Sequence, residues 1–272
     1  MRQLLLLPIL LVLSRVAGPA ATTITLEEGY RAMYDLRFED AHRIFAEWHR
    51  LHPEDPFAPV SDAAAFLFTE FDRMRILQAE FFLEDQGFKK KTRVTPDPVL
   101  KANFEQALQK SERLADAALQ RTRDDKNALF SKVLAHGLRS DYLGLIEKRY
   151  LPSLNAMKSG RLYAQRLLEI DPKYGDAHLA IGVENYVLSQ KPMPVRWLLQ
   201  AYGSETDAAR GVQKLKLCLE NGFYLKPFAR LLLAVAAIRE KQFGRARELL
   251  LGLAREFPSN PLYSQEAGKL PK

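Results

Sequence analysis

The sequence is poor in cysteine, tryptophan and β-branched residues, and each shortage removes a class of protein. A single cysteine, Cys218, in 272 residues excludes a disulfide framework and a CxxC metal or redox pair. Eleven Val and eight Ile stand against 44 Leu, a ratio that disfavours sheet, because unbranched-Cβ leucine keeps its rotamers in a helix and β-branched residues do not. No HExxH, glycine-rich phosphate loop or GxSxG elbow is present, so no catalytic class declares itself by motif. Long apolar runs are also scarce. Leu4–Leu13 and Leu231–Ile238 are the longest, and both fall short of the roughly 20 residues a bilayer-spanning helix needs. What remains is 47% apolar and 27% charged, the composition of an ordinary folded all-α chain.

The first 21 residues read as a secretory leader. Arg2 precedes the apolar run, and Ser14, Gly18, Pro19 and Ala20 follow it, the order of a signal peptide cut after Ala20 or Ala21. The expectation is an exported protein, periplasmic or secreted, soluble and without an integral span. No cysteine follows the cut, so no lipoprotein anchor is expected. The net charge of +7 falls to +5 once Arg2 and Arg15 leave with the leader. Its densest run, Lys89-Lys90-Lys91-Thr92-Arg93, lies between Gly87 and Pro96 and reads as a solvated loop or a peripheral contact with an anionic surface. No aromatic residues interleave it, so nucleic acid is not an expected partner.

Internal repetition decides the architecture. Gly29, Ala32, Ala41, Phe45 and Pro53 set small, aromatic and proline residues at one spacing; Ala234, Ala237, Phe243, Ala246, Leu250, Leu253 and Pro258 return to it near the C-terminus. Two antiparallel helices approach closely only where facing residues are small, and proline then ends the second helix. Gly160, Ala164 and Pro172, followed by Ile181-Gly182, keep a degenerate form. These positions resemble the tetratricopeptide repeat family, with good repeats at 22–55 and 227–260. The order of features is similar to exported bacterial tetratricopeptide proteins and faintly to the inclusion-body clearance family of eukaryotic helical-repeat proteins. The resemblance implies an α-solenoid over 22–272 that presents a binding surface.

The spacing predicts about ten helices, from 25–34 to 243–256. The longest are in the middle, at 58–83, 98–121, 126–147 and 151–170. Asp97 with Pro98 starts one and Asp124 or Asp125 caps the next. The stretch 191–203, with Pro192 and Pro194, is expected to be an irregular connector.

In tetratricopeptide arrays the first helix of each hairpin lines the concave face. Carried onto this chain, those positions are Tyr30, Met33 and Tyr34, then Ala64, Leu67 and Phe68, then Val183, Tyr186 and Val187, then Val235, Ile238 and Arg239. An open concavity would offer Tyr30, Tyr34 and Tyr186 to a peptide; a filled one makes them core. His42, His49 and His52 share a helix edge without a completing metal ligand set, so no metal or cofactor is expected. Cys218, between two leucines, reads as a buried hydrophobe. The leading expectation is a non-enzymatic scaffold or adaptor for a protein or peptide. The alternatives are a carbohydrate or lipid-linked ligand in an aromatic groove, and a hydrolase of envelope polymers.

Overall fold

Helix α1 (Leu26–Tyr34) begins where the Thr25 hydroxyl accepts the Glu28 N–H and the Glu28 carboxylate accepts the Thr25 N–H, two otherwise orphaned donors satisfied by one pair of side chains. The computed structural model describes residues 24–77 and 95–271, which form twelve α-helices with no strand among them. The leader at 1–21 and the basic run Lys89, Lys90, Lys91 and Arg93 lie outside the described residues. After α1 come α2 (Phe38–Leu51), α3 (Phe57–Arg73), α4 (Pro98–Arg121), α5 (Lys126–Asp141) and α6 (Tyr150–Ile170). They are followed by α7 (His178–Ser189), α8 (Met193–Ala201), α9 (Ala208–Asn221), α10 (Lys226–Arg239), α11 (Phe243–Glu256) and α12 (Pro261–Lys269).

Helices pack in pairs, most extensively α5 on α6, α7 on α9 across the intervening α8, and α3 on α4. The α1–α2 and α10–α11 turns are built alike. Leu36 and Lys241 both take φ of 60°. Arg37 N–H returns to the Ala32 carbonyl, and Gln242 N–H to that of Ala237. Helix exits repeat as well. His52, Thr122, Asp171 and Phe257 each donate to the carbonyl four residues back, and Asp55, Asp125, Tyr174 and Asn260 each donate three residues back to those same residues. Small residues mark the crossings: Ala115, Ala118 and Ala128 cluster between α4 and α5, and Ala237 and Ala246 between α10 and α11.

The first helix also meets the last ones. The Tyr34 carbonyl accepts the side-chain N–H of Asn260 at 2.9 Å, and Ser259 N–H donates to Asp35 at 2.8 Å. The Tyr34 hydroxyl donates to the Tyr224 carbonyl at 3.0 Å. A large cluster of buried side chains then runs from Leu26 in α1 to Ala267 in α12.

The sequence-based helix bounds hold for most elements, with four differences. The helix expected over 58–83 stops at Arg73, where Met74 is the C-cap and Arg75 takes φ of 58°; the part of the expected range from 78 lies outside the described residues. The helix expected over 126–147 ends at Asp141 and continues as a single π turn, Tyr142–Ile146. The expected connector at 191–203 contains α8, because Pro192 stands at its N-cap and Pro194 in its first turn, where a missing N–H costs nothing. Helix α12 was not expected; Asn260 caps it by accepting the Leu262 N–H.

Candidate functional site

The residues assigned to a concave face do not form an open one. Tyr30, Met33, Tyr34 and Leu67 are buried. Tyr30 lies against Phe45, Phe57 and Tyr224, and its hydroxyl accepts a hydrogen bond from Ser61. Burial pushes the Tyr30 and Tyr34 phenols well above their ordinary range, so both stay protonated inside the fold. Phe68 is half-buried between Tyr34 and Phe228. A gap edged by Met33, Tyr34, Phe68 and Tyr263 has about 20 Å³, room for one water rather than a sugar or a peptide. The cause is long-range: Tyr224 and Phe257, brought by α10 and α11, fill what a lone first hairpin would leave open. Val183 is half-buried and Tyr186 buried on α7, while Arg239 is exposed at the end of α10.

Three of the five histidines meet a carboxylate or a ring, while His49 Nδ1 and His178 Nδ1 are buried without a hydrogen-bond partner. His42 Nδ1 lies 2.5 Å from the Asp62 carboxylate, and the His52 ring lies 4.4 Å from that of Trp48 at a tilt of 39°. Among the described residues no three His, Cys, Asp or Glu side chains converge as a metal set. Cys218 is fully buried, and desolvation raises its thiol well above the usual range, which leaves it a weak nucleophile. Burial pushes His178 down to about 4.

A buried polar network joins α6, α7 and the loop after α8. Arg161 Nε donates to Glu184 Oε2 at 3.0 Å, and its Nη2 donates to the Gly203 carbonyl at 2.9 Å. Glu205 N–H donates to Glu184 Oε1, and the Asn185 amide donates to Glu205 Oε2 at 2.7 Å. Asp207 N–H then donates to Asn185 Oδ1 at 3.2 Å. Burial raises the Glu184 carboxyl against the lowering pull of the Glu205 N–H and of Arg161. Charged groups this deep are tolerated because every side-chain hydrogen-bonding atom finds a partner. Their effect is positional: Gly203, at φ 81°, is pinned at the end of α8. Lys158 Nζ adds a bond to the Tyr202 carbonyl at 2.9 Å, and Gln200 donates to the Thr206 hydroxyl.

Helix α8 is thereby held with its apolar side outward. Pro194, Trp197, Leu198, Ala201 and Tyr202 follow one another at helical i, i+3, i+4, i+7 and i+8, the stripe a globular helix normally turns to the core. Here all five are exposed, with Trp197 at 66%, Leu198 at 58% and Tyr202 at 74%. Met193 and Val195 add to the surface, and Leu199 on the other side is the only residue of α8 that is buried. Trp197, Leu198 and Tyr202 thus form one exposed apolar stripe along α8. No family model matches the chain, and no curated protein matches it.

The signal for α8 lies in its own residues. The i, i+3, i+4, i+7 pattern from Pro194 is legible, but the two prolines read as breakers and hid it. Its outward direction could not be read, since it depends on Arg161 and Glu184 gripping the loop at Gly203.

Proposed function

We propose that the chain is an exported helical-repeat adaptor that works by attachment rather than turnover, with α8 as an attachment element. Its tetratricopeptide-like hairpins curl as an α-solenoid whose first and last helices touch. The repeat resemblance implies that the adaptor serves a protein or peptide partner. The four alike helix exits and the small-residue crossings at α4–α5 and α10–α11 support the repeat reading.

The observation that carries attachment is the solvent-facing apolar stripe on a helix whose C-terminal end is fixed by hydrogen bonds. A side chain kept outside the core contributes little to folding, so its apolar character serves contact with something else. Cell-envelope fractionation of the full chain tests this against a Trp197→Ser/Leu198→Ser variant. The double variant should fold with an unchanged melting temperature and lose its retention in the envelope fraction. Equal retention of both proteins would remove α8 from the reading.

A further inference from the structure

Resting on the reading of α8 as an attachment element, we propose that its occupant is an anionic lipid surface, on which the helix lies flat. Three observations select a bilayer interface over a protein partner.

The first is shape. Trp197, Leu198 and Tyr202 are each more than half exposed, so no described part of the chain stands as a wall opposite them. A peptide ligand needs a groove with walls, whereas a lipid interface accepts a protruding stripe of apolar and aromatic side chains. Tryptophan and tyrosine are the residues that settle at headgroup depth, apolar body inward and polar tip in water.

The second is charge. From Tyr186 to Ser204 the chain has no Asp or Glu and carries Lys191 and Arg196. The carboxylates beyond the end of α8 are engaged: Glu205 pairs with Arg161 and Arg210, Glu184 is buried with Arg161, and Asp207 accepts the Arg210 N–H. Lys158 on α6 reaches the end of α8, where its Nζ donates to the Tyr202 carbonyl. An apolar stripe on a segment whose own charges are all positive suits negative headgroups.

The third is length. Nine residues at 1.5 Å each make a helix about 13 Å long, less than half of the roughly 30 Å hydrocarbon core. No helix among the described residues is long and apolar enough to cross a membrane. An element of this size lies in the interface.

Sedimentation of the full chain with phosphatidylcholine vesicles, with and without phosphatidylglycerol, tests the proposal. Binding should favour the phosphatidylglycerol vesicles, weaken in high salt, and shift Trp197 emission to the blue. The Trp197→Ser/Leu198→Ser variant should keep its melting temperature and bind the same vesicles about tenfold or more weakly. Failure to bind either vesicle overturns the proposal, as does equal binding by the variant. A photo-crosslinking side chain at position 197 separates the two levels. Capture of an envelope protein from that position, with vesicles untouched, would overturn the lipid assignment and leave attachment through α8 standing. No crosslink, no vesicle binding and equal envelope retention of both proteins would overturn both.

Discussion

Asp176 holds Leu225 from 49 residues away: its Oδ1 accepts the Leu225 N–H at 2.9 Å inside the core. The same carboxylate accepts the N–H groups of Phe223 and Tyr224, so one side chain holds the three residues that lead into α10. Burial raises its pKa and the three N–H donors pull it back. Asp176→Ala strands those donors and should cost about 3 kcal/mol in urea denaturation, with Asp176→Asn costing less because it keeps one acceptor.

At Gly211 the backbones of α7 and α9 nearly touch. A Cβ there would stand 2.6 Å from the Tyr186 nitrogen, an atom that cannot swing aside. Gly→Ala inside a helix ordinarily stabilises by up to about 1 kcal/mol. Gly211→Ala should reverse that sign and destabilise by about 1–3 kcal/mol, read as a lowered thermal midpoint.

Removing Arg161 leaves Glu184 charged and buried. Arg161→Met should cost about 3–5 kcal/mol, and adding Glu184→Met should restore part of it, because a buried pair replaced by apolar residues is often near neutral. The double-mutant cycle is the measurement. Equal and additive losses would show the two side chains to be uncoupled.

Asp141 closes α5 with its carboxyl raised to about 7 by burial alone. Its folded pKa lies above the ordinary 3.8, so folding takes up a proton between pH 4 and pH 7. The stability this group contributes is full near pH 4 and is lost as the pH climbs to 7. Asp141→Asn should be neutral at pH 4 and gain on the order of 1–3 kcal/mol relative to the natural chain above pH 7, read from chemical denaturation across that range.

How much of this was legible depended on distance along the chain. The caps at Asp97 and Asp125, the small residues at Ala41 and Ala246, and the proline exits after His52 and Phe257 are local, and the helices follow them. The burial of Tyr30 and Tyr34 was not legible, because it needs Tyr224 and Phe257, about two hundred residues away. The outward face of α8 failed for the same reason: its amphipathic pattern is local, but its orientation is set by Arg161 on α6.

The seam between Tyr34 and Asn260 bears on how the chain comes apart. An open stack of hairpins frays from its ends, each repeat melting against one neighbour. Here both terminal hairpins are stitched together, so neither end is a free starting point. Deuterium exchange should therefore show α1 and α12 opening as one unit, late, and Asn260→Ala should convert that shared event into two earlier ones.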